Sequence, residues 1–172
     1  LEKQVLIVNK EIQQSVAKDS FLQERIEKIC LVKGLGLISV VTILAETNGF
    51  QNFTSKAQVV SYAGYDVIQN QSGSSINGKT RISKKGNVRI RKALHFPALT
   101  AKKYDSIFSS LYSRVYDRTK IKMKGIVAVK RKLLVMIYTL FKKNIAVDYD
   151  VHKKSSDLEQ KCRQDIMPAY SR

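Results

Sequence analysis

A chain of 172 residues can bury one real core, and 44% hydrophobic with 26% charged residues excludes an intrinsically disordered chain. Thirty-one Lys and Arg against 14 Asp and Glu leave a net charge of +17, which favours a polyanionic partner. Nineteen of those cations and only two acids, Asp105 and Asp117, fall between Lys79 and Lys143, so one contiguous block carries the whole excess and the remainder is neutral.

Cys30 and Cys162 make neither a disulfide framework nor a zinc spacing, which points to a reducing compartment such as the cytoplasm. The longest apolar run, "GLGLISVVTILA", is too short to span a bilayer, no signal peptide precedes it, and no membrane partner is expected. The sequence opens without Met inside a helical pattern, so it reads as part of a longer protein.

In chain order, Leu1, Val5, Val8, Ile12, Leu22, Ile26 and Ile29 keep a three-four spacing that Ser15 and Asp19 interrupt. This predicts a long helix or helical pair, packed on its own domain or on a coiled-coil partner. "SFLQ" at residues 20–23 has capping-box form and restarts the helix. A turn at "KGLG" leads into an apolar helix that runs to about Glu46 and closes at "TNGF". Thr54 or Ser55 caps a short helix ended by Gly64.

"YDVIQNQ" is an extended segment and residues 72–80 are expected as loop. Helix returns near Gly86 with Val88, Ile90 or Arg91, Leu94 and Ala98, and Pro97 is expected to kink or restart it. Further helices are expected over residues 105–117 and 125–142, the second with Ile126, Val129, Leu133, Met136 and Leu140 inward. Residues 151–172 form a polar tail. The expected fold is mainly α: a helical domain over residues 20–150, with a helix-hairpin-helix-like turn and one short extended segment.

Gly34 and Gly36 stand in a turn before a helix, where backbone N–H groups can approach a phosphate at the helix's positive end. A tight turn between helices explains the same pattern. "RISKKGNVRIRK" gathers Arg81, Lys84, Lys85, Arg89, Arg91 and Lys92, with Lys79 just before them. Each can neutralise a nucleic-acid phosphate, with affinity that falls steeply in salt; the alternative is a solvated basic face.

Tyr104, Phe108, Tyr112 and Tyr116 recur every four residues and are expected as one helix's buried stripe rather than a stacking platform. His95 and His152 lack ligand-spaced companions, Asp148 and Asp150 read as solvated, and no acidic cluster suited to metal ions is present. Ser72, Ser74 and Ser75 lie beside the cations. A serine hydroxyl attacks a phosphodiester only when a base or metal takes its proton and cations hold the developing charge. The basic segment offers the second condition; on residues alone a plain serine loop stays open.

"LVKGLGLISVVTILAET", "FTSKAQVVSYAGY", "QSG" and "RISKKGNVRIRKAL" resemble, in sequence and spacing, the C-terminal transposase domain of the IS-one-ten insertion-sequence family. The likeness runs over roughly residues 20–145, with Lys33 where the family usually has Pro. The resemblance implies a bacterial DNA recombinase guided by a bridge RNA, built from a RuvC-like domain that binds divalent metal, a helical linker that residues 1–19 would end, and this serine-bearing domain. It further implies that Ser72 is the nucleophile that forms a transient phosphoserine link to DNA. The implied partners are DNA, guide RNA and a second copy of the full-length protein, with no cofactor held by this chain. By itself the chain would bind nucleic acid without recombining it. The rival reading is a non-catalytic helix-hairpin-helix module that binds DNA or RNA.

Overall fold

The computed structural model describes residues 2–68, 71, 72, 76, 77 and 81–144. The expectations for Ser74, Ser75, Lys79, Asp148, Asp150, His152, Cys162 and the polar tail lie outside the described residues. The architecture is mainly helical, as expected: eight helices and two small two-stranded ladders among the described residues.

Helix α1 (Glu2–Ala17) and helix α2 (Ser20–Cys30) divide the first apolar seam. The break is at Asp19, whose backbone is extended and whose carboxylate oxygen accepts from the Phe21 and Leu22 amides, each at 3.1 Å. Asp19 is therefore the N-cap and Ser20 the first helical residue, a correction to the capping box expected at residues 20–23. A carboxylate at that position also faces the helix's positive end. The seam divides with the helices: Ile26 and Ile29 enter the core and Val16 is buried, while Val5 and Val8 remain exposed.

Helix α3 (Leu37–Glu46) ends in a turn where Asn48, Gly49 and Phe50 all take positive φ. Phe50 accepts that conformation because its ring is fully buried, edge-on to Phe53, Tyr138 and Phe141. Helix α4 (Lys56–Tyr62) starts at Ser55 with a capping box completed by Gln58 and stops before Gly64, at φ +71°.

Residues 72–80 are not simply loop. Strand β1 (Val67–Ile68) pairs antiparallel with β4 (Arg81–Ile82), and β2 (Gln71–Ser72) with β3 (Ile76–Asn77), one pair nested inside the other along the chain. Helix α5 (Val88–Ala93) is capped by Asn87, whose side-chain oxygen accepts from the Arg89 and Ile90 amides. Helix α6 (His95–Tyr104) restarts at Leu94, three residues ahead of Pro97, which thus occupies the first turn, where a missing N–H costs nothing.

Helix α7 (Ser106–Thr119), capped by Asp105, and helix α8 (Lys122–Lys143) complete the fold. Helix α8 is the central element and packs against α2, α4, α6 and α7. Val129, Leu133, Leu134 and Ile137 are wholly buried on it, whereas Met136 and Leu140, expected inward, are half-buried at the flank. Its last turn is tied to α2 by Arg25, which donates to the Phe141 carbonyl at 3.0 Å. No described helix is long and apolar enough to cross a membrane.

Candidate nucleic-acid interface

The chain leaving α4 and the chain entering α5 zip together before the strands begin. The Asn87 amide donates to the Tyr62 carbonyl at 2.8 Å, Lys84 to Gly64 at 3.1 Å and Ser83 to Asp66 at 2.8 Å. The pairs Val67–Ile82 and Ile68–Arg81 continue that ladder outward. The result is a β-ribbon rooted on the helical body. Beyond it Ser72 sits in β2 opposite Ile76.

Three side chains lock the root. The Ser83 hydroxyl donates to the Asp66 carboxylate at 2.7 Å and accepts from the Lys85 amide at 3.4 Å, so it is committed on both sides. Glu46 reaches across from α3, accepting from the Asn87 side-chain amide at 2.6 Å and from Arg89 at 2.9 Å. Those two bonds, Asn87 first, hold the Glu46 carboxyl below the usual glutamate range, and Glu46 in turn raises the Arg89 guanidinium. Nη1 of Arg91 donates to the carbonyls of Ala63 at 2.8 Å, Gly86 at 2.9 Å and Asn87 at 3.3 Å.

The cations read from the sequence thus divide by position. Arg81, Lys84, Lys85, Arg89 and Lys92 are exposed around the ribbon root. Arg91 is half-buried and its Nη1 is spent on backbone carbonyls. Lys84 takes φ +55°, a left-handed backbone that turns the chain from the ribbon toward α5. Lys130 on α8 was not singled out by the sequence; it is almost wholly buried, and burial together with the nearby Arg91 charge pushes its ammonium down. Tyr65 is also buried, its hydroxyl without a hydrogen-bond partner among the described residues, and burial pushes the phenol upward.

The two glycines of the GLG turn have different surroundings. Gly34, at φ +98°, lies against α6: a methyl group there would come within 2.8 Å of the Pro97 carbonyl and 2.9 Å of the Ala101 amide. Gly36 caps α3, and a methyl group on it would meet nothing within 4 Å. Only the second leaves open space beside a helix N-terminus.

The expected aromatic stripe is split. Phe108 is core, but Tyr104 ends the preceding helix and is exposed, while Tyr112 and Tyr116 are half-buried and stacked on each other. His95 is half-buried with its ring edge-on to Phe96. Among the described residues no three His, Cys, Asp or Glu side chains come together in a way that could hold a metal ion. Sequence reasoning missed Glu46, Asp66 and Asn87. Of these only Asn87 carried a local signal, an N-cap residue directly before a helix.

Residues 26–113 match the Transposase IS116/IS110/IS902 family. Two curated relatives, the pilin gene-inverting proteins of Moraxella bovis and Moraxella lacunata, are each 28% identical over 134 residues. The matched stretch is 77% of this chain and 41% of each relative, so the chain spans about two fifths of their length.

Proposed function

The chain belongs to the Transposase IS116/IS110/IS902 family, and from that premise we propose that it is the nucleic-acid-gripping, serine-bearing part of a DNA recombinase. The observation that carries the reading is the rooted ribbon. A serine-containing strand pair extends from a base that exposes Arg81, Lys84, Lys85, Arg89 and Lys92, of which Arg89 is paired with Glu46. Cations on a braced root can hold a phosphate backbone at fixed register, while the ribbon reaches along the duplex. The names of the relatives, which describe inversion of a pilin gene, favour DNA as the substrate.

In this proposal Ser72 is the nucleophile. Its Oγ bonds to a DNA phosphorus, the bond from that phosphorus to a sugar oxygen breaks, and the serine proton ends on the freed sugar hydroxyl. Reversal with a second DNA end regenerates the serine and rejoins the strand. The exposed guanidinium and ammonium groups stabilise the charge that builds on the phosphate oxygens. A divalent metal belongs to the RuvC-like domain proposed for the full-length protein, with guide RNA as a further partner. Residues 1–19 serve as the end of a helical linker, and the exposed Val5, Leu6, Ile7 and Val8 of α1 suit pairing with a second copy.

The test is strand joining by the full-length protein on its own DNA ends. Ser72→Ala should abolish joining and the covalent protein–DNA product, whereas Ser74→Ala and Ser75→Ala should retain both. Joining at the wild-type rate by Ser72→Ala would sink the nucleophile assignment and leave a binding module.

A further inference from the structure

On the corner made by α6, α7 and α8, two unfavourable local choices converge on one pair of rings. Tyr112 and Tyr116 stack with centroids 5.9 Å apart and planes 5° from parallel. Gly125 lies buried within the 22-residue helix α8, where glycine is a poor helix former. The Tyr112 ring occupies the place its side chain would need: a methyl group there would come 2.6 Å from Tyr112 Cδ2. Lys120 ends α7 at φ +55°, in the left-handed position that glycine fills at least cost, and its amide closes on the Tyr116 carbonyl at 2.6 Å.

A cation lies over each ring, closely at Tyr112 and loosely at Tyr116. The Lys102 ammonium sits 3.7 Å over Tyr112, while the largely exposed Lys120 stands 5.8 Å from the Tyr116 centroid, at the outer limit of a cation–π contact that an incoming base can displace. Asp117, 3.8 Å from Lys120, is the acid at that edge, and both side chains are largely exposed. Between residues 102 and 124 there are seven Lys or Arg and two acids, of which Asp105 is buried as the α7 cap. An aromatic face flanked by exposed cations is the chemistry that accepts an unpaired base and its phosphate.

We propose that Tyr116, backed by Tyr112 and flanked by Lys120, is a stacking site for an unpaired nucleotide of a single-stranded DNA or RNA segment. It lies apart from the ribbon root, which α3, α4 and α5 build. The inference deepens the proposed function and rests on it only for the class of partner.

The experiment is binding of the chain to labelled single-stranded DNA, single-stranded RNA and blunt duplex, followed by fluorescence anisotropy. Tyr116→Ala should weaken at least one single-stranded ligand by about tenfold and leave duplex binding unchanged, and Tyr116→Phe should bind as wild type. Loss on RNA alone identifies an RNA loop as the source, loss on DNA alone a displaced DNA strand, and loss on both any unpaired strand. Lys120→Gly relieves the left-handed backbone, so it should melt no lower than wild type yet bind single strands more weakly. The site is overturned if Tyr116→Ala leaves both single-stranded affinities intact or weakens duplex equally. A Lys84→Ala, Lys85→Ala, Arg89→Ala variant reports separately on the ribbon root, through duplex binding.

Discussion

The backbones of Gly64 and Gly86 touch where the ribbon meets the body: a methyl group on Gly64 would lie 2.9 Å from the Gly86 amide nitrogen. A methyl group on Gly86 would run into the Tyr62 carbonyl and the Gly64 amide, with the Ala63 carbonyl carbon at 2.8 Å. All these are backbone atoms already fixed by the ladder, so they cannot move aside cheaply. Gly86→Ala should cost ~1–3 kcal/mol of stability, lowering the melting temperature by roughly 2–4 °C per kcal/mol for a chain of this size. Gly36→Ala, with open space around it, should melt as wild type. A thermal melt of the two variants side by side checks this, and equal melting would break the account of the root.

Arg91 and its neighbours should separate in two measurements. Arg91→Ala leaves the Ala63 and Gly86 carbonyls without the guanidinium that now serves them, and should destabilise by ~1–3 kcal/mol. Lys84→Ala and Lys85→Ala remove exposed side chains, should leave the melt unchanged, and should each reduce the salt slope of DNA binding by about 1. Denaturant curves and a salt titration of duplex affinity are the readouts.

Glu46 gives the root an acid-side dependence. Its folded pKa lies below the ordinary value because Asn87 and then Arg89 bond the carboxylate. A depressed carboxyl contributes stability that is present above the unfolded pKa and is lost as pH falls through the folded value. The wild-type urea midpoint should therefore drop on acidification through and below the ordinary glutamate range, and Glu46→Gln should flatten that part of the curve. An identical acid limb in both proteins would remove Glu46 from the explanation.

Gly125 and Tyr112 should be coupled. Gly125→Ala gains about 1 kcal/mol of helix propensity but overpacks the ring at 2.6 Å, so the net effect should be destabilising. In a Tyr112→Ala background the same change should become stabilising. A double-mutant cycle by denaturant unfolding measures the sign reversal, and additive effects would contradict the packing.

Much of the helical fold was legible because its signals are local. A cap at Ser55 and the three-four spacing of Ile126, Val129 and Leu133 act over one turn of chain. The cap at Asp19 was misread because Ser20 to Gln23 satisfies the pattern one residue late, and only the backbone conformation chooses between the two. The stripe of Tyr104 to Tyr116 failed for a similar reason. Its spacing runs across the junction between α6 and α7, where the helical phase resets at Asp105.

By itself the sequence determined the basic block, the order of the helices and the family motif, since composition, periodicity and caps depend on residues a few positions apart. Tertiary structure alone decided which cations remain outside and which is spent. Arg89 and Arg91 are two residues apart on one short helix, yet one reaches Glu46 at the surface and the other serves the carbonyls of Ala63 and Gly86. It also decided that Gly34 is pressed against α6 while Gly36 stands clear, and that the segment around Ser72 pairs into a ribbon. Each of these depends on chain segments that meet only after packing, so no local pattern encodes them.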